Sequence, residues 1–86
     1  MNFIVTGISK GVGLEITKVL ISKGHTIFGI SRNSSAELDE LRKTYPENLK
    51  WRSYDLTDHR SIRDELFKSF IGLKTEIHGY VNNAAL

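Results

Sequence analysis

The sequence predicts an α/β fold built on a doubly wound parallel sheet. Three observations carry that expectation. Short β-branched and apolar runs alternate with longer amphipathic segments, the first such run empties into a glycine-rich turn, and no repeat, linker or low-complexity stretch interrupts the alternation. A strand followed by a helix-length segment and another strand makes parallel pairing the natural outcome, because the helix carries the chain back to the start of the sheet.

Phe3-Ile4-Val5 is the first strand, and it runs directly into Thr6-Gly7-Ile8-Ser9-Lys10-Gly11-Val12-Gly13. Val12, Ile16, Val19 and Leu20 then recur at helical spacing, and Lys23-Gly24 supplies a glycine C-cap. His25 to Ser31 is β-branched and aromatic and reads as the second strand. Ser34-Ser35-Ala36-Glu37 has the pattern of a capping box, and Leu38, Leu41 and Tyr45 give the next helix its apolar stripe until Pro46 stops it. Leu49 to Tyr54 is the third strand. A third helix carries Ile62, Leu66, Phe67, Phe70 and Ile71 up to Gly72, and Ile77 to Asn82 is the fourth strand.

The pattern β-α-β-α-β-α-β, with right-handed crossovers, predicts the strand order 3-2-1-4. The topological switch then lies between the first and fourth strands, so Gly7 and Asn83 flank the crevice where such sheets bind ligands. Two helices would cover one face and only the third helix the other. The fourth strand would lie at a bare edge with unpaired backbone groups. On that ground the chain, a single domain over 1–86, is expected to be cut off just past its fourth strand.

Composition narrows the function classes. Apolar and charged fractions of 40% and 26% are those of a globular chain and argue against disorder. The net charge of +2, with no Lys or Arg run longer than two, gives no reason to expect nucleic acid as a partner. With no cysteine there is no disulfide and no thiolate metal site, which fits a reducing cytoplasm. The first strand begins too close to Met1 for a signal peptide, and no apolar stretch approaches the roughly 20 residues that span a membrane. His25, His59 and His78 are scattered without metal-ligand spacing and read as structural residues.

The glycine segment carries the chemistry. A strand, a glycine-rich turn and a helix form the usual cradle for a dinucleotide pyrophosphate. Gly7 permits the turn, Gly11 permits close approach of a phosphate, and Gly13 permits close packing of helix on sheet. The phosphates meet the free N–H groups at the positive end of that helix. Ser9 has no base nearby in sequence and reads as a phosphate ligand rather than a nucleophile.

The spacing Gly-x-x-x-Gly-x-Gly after Thr6 resembles that of the short-chain dehydrogenase/reductase family. Asp55-Leu56-Thr57 and Asn82-Asn83-Ala84-Ala85 agree with the family's later motifs in order and distance, so the resemblance covers the whole chain. It implies the first half of a Rossmann-type sheet. It also implies cofactor contacts from Gly7, Ser9, Lys10, Gly11, Val12 and Gly13, and from Ser31, Arg32 and Asn33 after the second strand. Asp55 and Leu56 would edge the adenine pocket, although Asp55 or Thr57 equally suits a helix cap. Asn82 would steady the sheet. Asn83, Ala84 and Ala85 would lie near the nicotinamide-side ribose, with Ala85 standing where the family has glycine.

Cofactor choice follows from the end of the second strand. NAD sites place a carboxylate there for the ribose 2′-OH, but Ser31-Arg32-Asn33 has none. A guanidinium at that point can clamp the 2′-phosphate of NADP, and Lys10 adds a second base. The plain alternative is that Arg32 and Lys10 are two surface bases among twelve.

The resemblance further implies that relatives transfer hydride between a carbonyl and an alcohol with a Ser, a Tyr and a Lys beyond the fourth strand. No Tyr here is followed by Lys four residues later, so the chain is expected to hold no catalytic residue. Three readings remain: the NADP-binding part of an oxidoreductase acting on a small carbonyl or alcohol, a non-enzymatic NADP-binding module, or a truncated inactive product. An oligomer of like chains is compatible with each.

Overall fold

In the computed structural model, residues 1–53, 70–72 and 75–82 are described. Their elements run β1 (Asn2–Thr6), α1 (Gly11–Ser22), β2 (Thr26–Ser31), α2 (Ala36–Thr44), β3 (Leu49–Ser53) and β4 (Gly79–Val81). The four strands form one parallel sheet in the order β3-β2-β1-β4. The doubly wound order expected from the sequence is therefore present. The expected third helix, apart from Phe70 and Ile71, lies outside the described residues, as do Tyr54, Asp55, Leu56, Thr57, His59, Asn83, Ala84 and Ala85.

Strand alternation sorts the side chains onto two faces. Val5, Ile27 and Leu49 project toward the helices and form one core with Ile8, Leu14, Ile21 and Leu38. Ile4, Phe28 and Ile30 project the other way and form a second core with Ile71, flanked by Phe70 and Ile77. Full burial of each such side chain contributes about 1.5–3 kcal/mol. Gly29 sits in the middle of β2 because Ile8 fills the space above it: a Cβ there would fall inside the Ile8 side chain. Gly79 likewise makes room for the Phe3 ring on its partner strand.

Three local features differ from the sequence expectation. The face of α1 laid on the sheet is Gly13, Leu14, Thr17 and Ile21, while Val12 and Val19 are exposed by 64% and 52%. The apolar residues of α1 surround more than half of the helix, so spacing alone admitted two stripes. Gly13 and Thr17 let the helix come close, and the Thr17 hydroxyl is satisfied by donating to the Gly13 carbonyl at 2.8 Å. The cap of α2 is one residue later than expected. Ser35, not Ser34, accepts from the Leu38 N–H at 3.1 Å, and Glu37 turns to Lys18 instead of closing a box. Finally, β4 is half the expected strand. Upstream of it the Asn2 amide side chain takes the Glu76 carbonyl at 2.9 Å, and the His78 ring accepts the Asn2 N–H at 3.0 Å. They stand beside a backbone bond from the His78 N–H to the Asn2 carbonyl at 2.8 Å, so side chains supplement the pairing there.

The end of α1 matches its expectation. Gly24, at φ 85°, donates to Ile21, and His25 donates to Leu20, the paired bonds of a Schellman cap.

Candidate cofactor-binding site

The turn after β1 is built by two glycines in the left-handed region. Gly7, at φ 66°, leaves the strand while its N–H still donates to the Ile30 carbonyl at 2.8 Å. Ile8 then plugs the core, and Gly11, at φ 64°, opens α1. Beyond its own stretch of backbone, no atom of the described residues lies within 4 Å of the place a Gly11 Cβ would take, so the backbone faces open space there. That opening is what a phosphate needs to reach the amides.

The two helices differ at their N-termini. Helix α2 has a serine cap, Glu37 and Asp39 in its first turn, and Arg42 and Lys43 in its last, all compensating its dipole. Helix α1 begins at Lys10 with no side-chain cap, and no acidic residue stands in its first turn. Among the described residues, no side-chain cap or first-turn carboxylate compensates its positive end. Lys10, Gly11 and Val12 are exposed at that end, whereas Gly13 is buried against the sheet. An open groove of about 590 Å³ starts there and follows the exposed apolar flank of α1 past Ile16 and Val19.

The second candidate segment follows β2. Ser31 is buried, while Arg32 and Asn33 are exposed, and no carboxylate stands among the three. The Ser31 hydroxyl donates to the Asn33 carbonyl at 2.6 Å and accepts the Trp51 indole N–H at 2.8 Å. The Ser53 hydroxyl donates to the Arg32 carbonyl at 2.8 Å. Ser35 joins the two loops: its hydroxyl donates to the Ser9 carbonyl while accepting from Leu38. A second link is electrostatic. Lys18 reaches Glu37 at 3.1 Å and Glu15 at 3.3 Å. The Glu37 hydrogen bond, then that of Glu15, holds the Lys18 ammonium above the usual lysine value.

At the switch point, the Thr6 hydroxyl on β1 donates to the Asn82 side chain at 3.1 Å. Asn82 thus ties the ends of β1 and β4 together. The structure brings the Gly7–Gly13 segment and the Ser31–Asn33 segment side by side through Ser35. Thr6, Ser35, Trp51 and Ser53 were not singled out as site residues by sequence pattern, because each acts through a partner distant along the chain. Among the described residues, no group of His, Cys, Asp or Glu could hold a metal ion, and no helix is long and apolar enough to cross a membrane.

A family profile described as short chain dehydrogenase matches residues 2–86. The chain belongs to the short-chain dehydrogenase/reductase family. Benzil reductase of Bacillus cereus is 32% identical, a match covering 94% of this chain and 34% of that protein. A short-chain dehydrogenase/reductase of Phaeosphaeria nodorum is also 32% identical, over 98% of this chain and 28% of its own. Among solved structures, serine dehydrogenase from Escherichia coli superposes on all of this chain and 38% of its own, with a TM-score of 0.82 and 31% identity. The closed form of serine dehydrogenase complexed with NADP+ gives the same TM-score and identity. The chain therefore spans about a quarter to a third of the length of the curated relatives it matches. Short-chain dehydrogenases are oxidoreductases that bind nicotinamide cofactors, and the open Gly11 backbone and bare α1 N-terminus fit the pyrophosphate of one.

Proposed function

We propose that this chain forms the cofactor-holding part of an NADP-dependent short-chain dehydrogenase/reductase that interconverts a small carbonyl compound and its alcohol. The observation that carries the reading is the pairing of the two loops. An open, uncapped helix N-terminus suited to a pyrophosphate is bonded through Ser35 to an exposed Arg32 loop with no carboxylate at positions 31–33. The NADP+ bound by serine dehydrogenase, at 31% identity, supports the same choice.

In this reading Gly7, Ser9, Lys10, Gly11, Val12 and Gly13 hold the pyrophosphate, and Arg32 and Asn33 receive the 2′-phosphate, with the buried Ser31 supporting their turn. Asp55 and Leu56 border the adenine, and Asn83, Ala84 and Ala85 border the nicotinamide-side ribose. When bound, the cofactor supplies or accepts the hydride. The chain's own residues bind and orient it, and Lys10 and Arg32 neutralise its phosphates. The Tyr and Lys that handle the proton in the family have no counterpart in this sequence, so proton transfer falls to residues outside it. A reducing cytoplasm suits a chain without cysteine, and a homo-oligomer suits its open sheet edge.

Calorimetric titration with NADP+ and NAD+ tests the cofactor assignment. NADP+ is expected to bind more tightly, and Arg32→Ala to weaken it roughly ten- to a hundredfold, the worth of one charge-assisted contact. Arg32→Asp should be worse than Ala, because repulsion is added to a lost contact. Equal wild-type affinities would remove the NADP assignment.

A further inference from the structure

The exposed loop after β2 is held from beneath by side chains of β2 and β3. Ser53 fixes the Arg32 carbonyl at 2.8 Å, and Ser31 fixes the Asn33 carbonyl at 2.6 Å. Because each peptide is planar and trans, a carbonyl held in one direction holds the following N–H in the opposite one. The two serines therefore aim the N–H groups of Asn33 and Ser34 away from the sheet. Among the described residues, neither amide donates a hydrogen bond. Two aimed N–H groups beside an exposed guanidinium make a concavity for an anion, both carbonyl oxygens of the turn are engaged, and the neighbouring Asp39 carboxylate is occupied by the Ser34 hydroxyl at 2.6 Å and by Arg42 at 3.7 Å.

Trp51 completes this arrangement. Its indole N–H donates to the Ser31 hydroxyl at 2.8 Å, which leaves the hydroxyl hydrogen to point at Asn33. A serine hydroxyl rotates freely, and an N–H donor on its oxygen selects the rotor that donates onward. Trp51 is itself held, since the Arg42 guanidinium lies 5.0 Å from its ring centroid. The chain Trp51→Ser31→Asn33 thus runs from the α2-facing side of β3 into the loop backbone.

We propose that Trp51 and Ser31 are specificity-positioning residues, which preform the Arg32-Asn33-Ser34 turn for the 2′-phosphate of NADP without touching it. The proposal rests on the NADP reading above. It assigns discrimination between the two cofactors to the backbone of the turn as well as to the Arg32 side chain. A dinucleotide lacking the 2′-phosphate lacks the group this turn would receive, so its affinity depends less on the relay. A merely structural role would weaken both cofactors together.

The test titrates NADP+ and NAD+ into the whole protein that carries this chain, wild type, Ser31→Ala and Trp51→Phe, with circular dichroism confirming folded protein. Ser31→Ala is expected to weaken NADP+ about five- to tenfold, the equivalent of one buried hydrogen bond, while NAD+ changes by less than about twofold. Trp51→Phe keeps the ring and removes the donor, so it gives a smaller loss in the same direction. Parallel losses for both cofactors, or an unchanged NADP+ to NAD+ ratio in both variants, would overturn the relay. A wild-type chain without NADP+ preference overturns the underlying reading and this one with it, and that failure is visible before any variant is made.

Discussion

Gly11 and Gly29 are both glycines for spatial reasons, but the reasons are opposite, and substitution separates them. A methyl at Gly11 meets nothing within 4 Å, so its cost to the fold is the strain of φ 64°, about 1 kcal/mol. In the proposed site that methyl would stand where a phosphate approaches. Gly11→Ala is therefore expected to weaken NADP+ at least about tenfold while the unfolding midpoint moves little. A methyl at Gly29 would collide with Ile8, whose burial is complete, so Gly29→Ala should cost about 1–3 kcal/mol of stability. Calorimetric titration and thermal unfolding of both variants check the contrast. Much of the glycine loop was legible in the sequence because only glycine serves at positive φ. The tie from Ser35 to Ser9 was not, since a hydroxyl twenty-six positions away leaves no periodic trace. The bond from the Trp51 indole N–H to Ser31 is equally silent in the sequence, because its partner lies on another strand.

At the scale of elements, strands were easier to place than helix faces. β1 and β2 are bounded within a residue of their apolar runs, because period-two alternation offers a buried strand no second register. Helix α1 offered two. Its buried side is Gly13, Leu14, Thr17 and Ile21, less apolar in composition than the flank left outside. The buried side carries the small Gly13 and Thr17, so hydropathy alone did not decide between them. The fold subdivides accordingly under substitution. Leu14→Ala should cost about 2–5 kcal/mol, because Leu14 is 3% exposed within the main core. Val19→Ala, at 52% exposure, should stay within about 0.5 kcal/mol. Denaturant unfolding of the two variants distinguishes the faces; comparable losses would mean that the Val19 flank is covered in the protein as it stands in solution.

That flank and the β4 edge together govern the behaviour of the whole molecule. Val12 and Val19 are exposed on α1, Tyr80 is 59% exposed on β4, and Ile77 and Val81 are only half-buried. Among the described strands β4 is also an outer one, three residues long, with no strand paired on its side away from β1. This chain spans about a quarter to a third of its relatives' length. Expressed alone, the 86-residue chain is therefore expected to be weakly stable and to self-associate. It should also give no NADPH-dependent carbonyl reduction above background, because it lacks a Tyr and Lys pair. Sedimentation and thermal unfolding check the first expectation, and a panel of aldehydes and ketones the second. Pairing of β4 edges between copies would appear as dimers or larger species that a charge on the edge, such as Tyr80→Lys, disperses. Addition of a longer family chain's remaining strands would relieve the same exposure. A monodisperse monomer melting at about 45–65 °C, as full domains do, would show instead that these strands and helices close their own core. With cofactor binding retained, that outcome would favour a self-sufficient NADP-binding module over a part of a larger enzyme.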